Sequence, residues 1–206
     1  MNTKTQIQQP NKKASKIIKI LILGNSSVGK SSIVVRYTEN KFYTTYLATI
    51  GVDFVKKVLN INDQEVILQI WDSAGQEKYN AITKQYYNRT DGILVVFDLS
   101  SRTTFNGVMN WLEEIELSNA SGMPIVILGN KCDLEEKEVS QEEAIEFAQS
   151  KGFPYYETSA LEGINVNEAF MDVVLKVIEN KNKNVKNDKP TFGISVGQTK
   201  KEKCCK

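Results

Sequence analysis

The chain is predicted to fold as a doubly wound α/β domain, a mostly parallel six-stranded sheet flanked by helices, and three observations carry that prediction. Stretches with strand and helix periods alternate along the chain, the pattern from which parallel sheets are built. Runs such as Ile93-Leu94-Val95-Val96-Phe97 are apolar throughout, as strands covered on both faces must be. The residues suited to bind a ligand cluster just after strand-like runs, where such sheets place their sites.

Residues 1–15 are polar and read as a disordered arm; order is expected from Lys16, in a domain spanning 16–181. The first strand is expected over 17–23, where Ile and Leu dominate, and a helix over 31–37. A polar, aromatic stretch at 39–49 leads to strands at 52–61 and 65–71, joined through Asn62-Asp63-Gln64 as a hairpin. A buried strand follows at 92–99, a helix at 105–117, a strand at 125–128, a helix at 141–151, a short strand at 155–158 and a helix at 165–181. Beyond Lys181 the chain is rich in Asn and Lys and is punctuated by Pro190, Gly193 and Gly197, so 182–206 is expected to be a flexible basic tail.

The 206 residues, 41% of them hydrophobic, suffice for one domain with a sizeable core. Without an eighteen-residue apolar run or a signal segment, the expected compartment is the cytosol. Three cysteines at positions 132, 204 and 205 match neither a disulfide framework nor a zinc site. The net charge of +1 conceals basic ends. Residues 1–16 carry four lysines and no acid, and 182–206 carry seven lysines against two acids, whereas the middle holds fifteen basic and twenty-three acidic residues. Such ends suit an anionic surface, membrane or nucleic acid.

The first strand runs into Gly24-Asn25-Ser26-Ser27-Val28-Gly29-Lys30-Ser31-Ser32, a G-x-x-x-x-G-K-S pattern between a strand and a helix. Gly29 and its neighbours let backbone N–H groups of Ser26 through Ser32 wrap an anion, and the helix N-terminus points at it. Lys30 supplies a cation and the Ser31 hydroxyl a ligand for Mg²⁺. A nucleoside triphosphate is the expected ligand.

The hairpin's second strand ends in Trp71-Asp72-Ser73-Ala74-Gly75-Gln76. Asp72 can serve Mg²⁺ directly or through water. Gly75 can bring an N–H to a terminal phosphate, and Gln76 can orient an attacking water. After residues 125–128 comes Gly129-Asn130-Lys131-Cys132-Asp133. The Asp133 carboxylate can accept both the N1–H and the amino hydrogens of guanine, a pair that adenine lacks. Asn130 can tie this loop to the cradle, and Lys131 can lie along the base. After the last strand, Ser159-Ala160-Leu161 brings an Ala160 N–H that could read the guanine carbonyl.

These segments, in this order over residues 17–181, resemble the small Ras-like GTPases. Within that superfamily Thr49-Ile50-Gly51-Val52-Asp53-Phe54, Leu68-Gln69-Ile70-Trp71, Tyr86-Tyr87 and the terminal cysteine pair look like the Rab family. The resemblance implies the small GTPase fold, GTP or GDP as ligand with Mg²⁺, and a switch between two nucleotide states. It implies that Thr49 closes over Mg²⁺ and the γ-phosphate, and that Phe42 stacks on guanine. Ile50, Phe54, Trp71 and Tyr86 match positions that effectors contact. The chain departs from the family at Leu161, usually a lysine, at Ser73, usually a threonine, and at Asn88-Arg89-Thr90, usually Arg-Gly-Ala.

Cys204 and Cys205, in a basic tail and followed only by Lys206, are not a C-a-a-X box but resemble the doubly geranylgeranylated ends of Rab proteins. Two chains would anchor the protein stably to a membrane, without any nucleic-acid partner. The resemblance further implies an exchange factor, a GTPase-activating protein, a GDP-dissociation inhibitor and a prenylation escort, GTP-state effectors, and a monomer at the cytoplasmic face of endomembranes. With no histidine in the chain, hydrolysis must rest on Lys30, Gln76 and Mg²⁺, joined by Thr49 as the resemblance implies. Such sites turn over slowly, about 10⁻⁴ to 10⁻² per second, until a partner assists. Two other classes compete: a scaffold that holds GTP without hydrolysing it, which Gln76 argues against, and an ATPase or kinase, which Asp133 argues against.

Overall fold

In the computed structural model the described residues are 15–45, 49, 51–75, 85–118 and 122–187, with side chains to 183. They form β1 (Lys16–Leu23), α1 (Lys30–Glu39), β2 (Val52–Ile61), β3 (Gln64–Ser73), β4 (Gly92–Asp98), α2 (Arg102–Leu117), β5 (Ile125–Asn130), α3 (Gln141–Ser150), β6 (Tyr155–Thr158) and α4 (Val166–Asn187). The sheet has six strands in the order β2-β3-β1-β4-β5-β6. Only the β2–β3 pair is antiparallel.

The period of two along β1 divides the core into two layers. Ile18, Ile20 and Ile22 face Ile33, Val34 and Tyr37 of α1 and Phe170, Val173 and Val177 of α4. Leu21 and Leu23 point the other way, toward Phe105, Val108 and Leu112 of α2 and Ala144 and Ala148 of α3. All seven residues of β4 are buried, which explains its unbroken apolar run.

Element boundaries shift where polar residues do structural work. The hairpin loop shortens to Asn62 and Asp63, because Gln64 pairs with Ile61. Both loop residues adopt positive φ, 50° and 58°, as a two-residue hairpin of matching twist requires. β5 runs two residues past the apolar stretch, since Gly129 and Asn130 pair with Glu157 and Thr158. α2 starts at Arg102 rather than 105, its first turn being polar and bonded back to Ser101. α4 continues to Asn187, past the expected end at 181, with i,i+4 pairs Asp172–Lys176 and Glu179–Lys183 along it. Most of the arm, residues 1–14, and the tail from 188 lie outside the described residues.

Tyr37 stacks on Phe170 with ring centroids 3.8 Å apart, yet its buried hydroxyl has no partner among the described residues. Phe170→Ala should therefore cost about 3–5 kcal/mol, the range for truncating a buried phenylalanine. Tyr37→Phe should leave stability unchanged or raise it, because it removes an unpaired polar atom. Thermal denaturation checks both; a Tm loss above about 4 °C for Tyr37→Phe, roughly 1 kcal/mol or more in a chain of this size, would contradict that assignment.

Candidate functional site

The turn after β1 folds as a cradle because its glycines stand where a side chain cannot. Gly24 has φ 140°, and a Cβ there would lie 2.1 Å from the Val96 carbonyl oxygen. Gly29 has φ 96°, and its Cβ would meet Asn130 Nδ2 at 2.4 Å. Ser27 also takes a left-handed conformation. The loop thus curls tightly, Val28 buried beneath it, before α1 begins at Lys30.

The Lys30 ammonium donates to the Gly24 and Asn25 carbonyls, each at 2.8 Å. Burial pushes its pKa down to about 8, against the pull of the Asp72 carboxylate. Gly75 sits against this group: a Cβ would lie 2.4 Å from Asn25 backbone atoms and 2.5 Å from Lys30 Nζ. Asn25 is held from the other side, its Oδ1 accepting from Trp111 Nε1 of α2 at 2.9 Å.

Three oxygen-bearing side chains converge next to the cradle. Ser31 Oγ bonds Asp72 Oδ2 at 2.5 Å and lies 2.8 Å from Thr49 Oγ1, which is 3.5 Å from the same carboxylate oxygen. Asp72 Oδ1 is buried without a partner among the described residues. Burial raises the Asp72 pKa, opposed by the Ser31 hydroxyl and by Lys30. Hard, compact oxygen donors and an orphaned carboxylate oxygen fit a divalent cation such as Mg²⁺.

A cavity of about 380 Å³ opens from the cradle, lined among others by Ser27, Gly29, Ser31, Ser32, Phe42 and Asn130, and also by Lys131, Asp133, Ala160 and Leu161. Asn130 Nδ2 donates to the Val28 carbonyl at 2.8 Å, while its Oδ1 accepts from Thr158 Oγ1 at 3.2 Å. Asp133 Oδ1 accepts from Ser159 Oγ at 2.5 Å, and that hydroxyl accepts from the Glu162 N–H at 3.0 Å. The Lys131 ammonium pairs with buried Asp98 at 2.5 Å, which fixes the side chain along the cavity wall. Ala160 is buried, whereas Leu161 is 45% exposed at the rim.

The structure thus gathers Ser27, Val28, Gly29, Lys30, Ser31, Ser32, Phe42, Thr49, Asp72, Gly75, Asn130, Lys131, Asp133, Ser159, Ala160 and Leu161 at one end of the sheet, with Ser26 exposed at the turn. Gln76, Ile50, Cys204 and Cys205 lie outside the described residues. Phe54, Trp71 and Tyr86 form a contiguous aromatic cluster, with centroids 4.7 and 4.8 Å apart. Ser73 is structural, its hydroxyl donating to the Ile22 carbonyl at 2.6 Å and tying β3 to β1.

Sequence reasoning missed the residues that hold these groups in place. Arg36 of α1 donates from Nε to the Ala160 carbonyl at 2.8 Å and from Nη2 to the Leu161 carbonyl at 2.5 Å. Asp98, Thr158 and Trp111 act likewise on Lys131, Asn130 and Asn25. No local pattern reveals such partners, which lie 124 residues apart in the case of Arg36 and Ala160.

Comparison with known proteins agrees with this geometry. The Ras family model matches residues 19–179. The chain is 42% identical over 164 residues to GTP-binding protein YPT1 of Saccharomyces cerevisiae, covering 79% of this chain and 80% of the relative. It is 39% identical over 165 residues to Ras-related protein Rab-13 of Canis lupus familiaris, covering 78% and 81%. It is 38% identical over 164 residues to Ras-related protein Rab-15 of Homo sapiens, covering 79% and 77%.

Arg36→Ala should free the loop at residues 160–161 and speed release of guanosine diphosphate by roughly ten- to a hundredfold, as expected for losing charge-assisted bonds of about 1.5–3 kcal/mol. Arg36→Lys should rescue only part of this, since one ammonium cannot copy the planar fork. Stopped-flow release of a fluorescent analogue measures it; an unchanged rate with an unchanged Tm would remove Arg36 from the site.

Proposed function

The chain belongs to the Ras family as a Rab-like small GTPase that binds guanine nucleotide and hydrolyses GTP in vesicle trafficking, and on that premise we propose how its own residues perform each step. The observation that carries the assignment is the cavity that joins the Lys30 cradle to the carboxylate of Asp133.

The cradle N–H groups and Lys30 hold the β- and γ-phosphates, and the buried ammonium acts in a weakly screened setting where its charge counts for more. Ser31, Thr49 and Asp72 would hold Mg²⁺, which when bound would offset charge on the phosphate oxygens. Asp133, oriented by Ser159, accepts the N1–H and amino hydrogens of guanine, while Phe42, Lys131 and Leu161 cover the base and the Ala160 N–H meets its carbonyl. An adenine would leave the Asp133 carboxylate facing a ring nitrogen without a proton.

Hydrolysis proceeds by attack of water on the γ-phosphorus, breaking its bond to the β–γ bridging oxygen and releasing GDP and inorganic phosphate. We assign Gln76 to orient that water and the Gly75 N–H to a γ-phosphate oxygen, with Thr49 beside them. Slow turnover suits a switch: Thr49 and Gly75 grip the γ-phosphate in one state and release it in the other. The Phe54–Trp71–Tyr86 cluster, with Ile50, is the surface we assign to GTP-state effectors.

We propose that the chain associates with membranes in its trafficking role. No helix among the described residues is long and apolar enough to cross a bilayer. We therefore assign attachment to geranylgeranyl groups on Cys204 and Cys205, at the end of the basic tail that follows α4. The protein works with regulators and effectors; we propose an exchange factor, an activating protein, a GDP-dissociation inhibitor and a prenylation escort, acting on a monomer at the cytoplasmic face of endomembranes.

Three measurements test these assignments. Asp133→Asn should erase most of the preference for guanine over adenine nucleotides, a loss of about 10²-fold or more; an unchanged ratio would refute the base assignment. In single-turnover assays Gln76→Leu should hydrolyse GTP at least about tenfold more slowly than wild type while binding it as tightly, within the range for positioned water attack. Equal rates would exclude Gln76 from the chemistry. Mass spectrometry of protein from its native cell should find two prenyl adducts on the terminal cysteines, and free thiols there would refute the anchor.

A further inference from the structure

A second cavity, of about 630 Å³, lies at the other end of the sheet from the nucleotide site. It opens where Met123 and Pro124 lead into β5 and Phe153 and Pro154 lead into β6, with Met109 and Leu112 of α2 forming a wall. Glu113 and Glu116 stand on the α2 side with no ion-pair partner among the described residues. Lys176, Glu179 and Asn180 of α4 close the opposite side.

We propose that this groove is the seat of the chain's own segment 190–197, Pro190-Thr191-Phe192-Gly193-Ile194-Ser195-Val196-Gly197, docked in cis. In an extended chain Phe192, Ile194 and Val196 share one face, which supplies the apolar complement that the groove requires. Lys189 precedes this face and Lys200-Lys201 follow it, opposite in charge to Glu113 and Glu116. Pro190 prevents continuation of α4, and the glycines let the chain bend into the groove.

The connection is short enough. Asn180 lines the groove, its Nδ2 donating to the Gly122 carbonyl at 3.2 Å, and α4 ends at Asn187. Seven residues of helix carry the chain about 10 Å beyond the groove. The five residues from Asn187 to Phe192 span up to about 17 Å, enough to return. The segment's apolar side chains would otherwise remain in water beside the apolar wall formed by Met109, Leu112, Met123 and Phe153. Docking stands apart from the guanine reading, since none of the groove residues lines the nucleotide cavity.

The test uses the unprenylated full chain loaded with GDP and Mg²⁺. The chain has four methionines, Met1, Met109, Met123 and Met171, so their ¹³C-labelled methyl groups report the groove directly. Substituting Phe192→Asp with Ile194→Asp should move the Met109 and Met123 signals and leave Met171 in place. Hydrogen exchange at amides 192–197 should be slowed by roughly tenfold or more in wild type and return to free-chain rates in Glu113→Lys with Glu116→Lys, whose tail is intact. Methyl signals unmoved by the tail substitutions, or free-chain exchange at 192–197 in wild type, would overturn the proposal. Protection that disappears on dilution would overturn it in favour of a second copy seated in the groove.

Discussion

The hydrogen bond from Asn130 Nδ2 to the Val28 carbonyl, 2.8 Å long, joins the two halves of the site. One half is the cradle after β1, to which we assign the phosphates; the other is the loop after β5, to which we assign the base. They are 102 residues apart in sequence and have no reason to meet except that β1 and β5 flank β4 in one parallel sheet. The missing Cβ of Gly29 makes the bond possible, because a side chain there would occupy the position of the Asn130 amide. Strand order, glycine placement and amide donor are therefore one constraint expressed at three levels.

A series of positioning contacts radiates from that interlock. Thr158 holds the other end of the Asn130 amide, Asp98 holds Lys131, Ser159 holds Asp133, and Arg36 holds the backbone after β6. Each fixes a group before ligand arrives, so binding spends less ordering entropy. On the phosphate side, Trp111 and Gly107 of α2 confine Asn25, whose backbone in turn confines Gly75 and Lys30. Neighbouring side chains thus determine how the groups of the proposed site stand.

Most of the fold was legible because burial dictates pattern: β4 is apolar throughout since both its faces are covered, and β1 splits its alternate residues between two core layers. The residues that converge on the cavity were legible as candidates because phosphate and guanine demand particular groups at particular spacings. What escaped notice was polar and long-range. Asn130 completes β5 although the apolar run stops at Leu128, because its backbone bonds belong to the sheet while its side chain serves the cradle. Arg36 looks like an ordinary surface residue of a helix and is revealed only by the loop that packs beside it. The helix continues to Asn187 past the last apolar position of its buried face, with the exposed Glu179–Lys183 pair spanning the expected end at Lys181, so a reading of apolar periodicity ends too early.

The central claim is that this cavity selects guanine through Asp133 while the cradle holds the phosphates. Isothermal titration of the nucleotide-free wild-type chain with GDP and, separately, ADP in the presence of Mg²⁺ tests it most directly. The account predicts that GDP binds at least about 10³-fold more tightly, the discrimination expected when a buried acceptor is left unpaired by the wrong base. Comparable affinities for the two would contradict it.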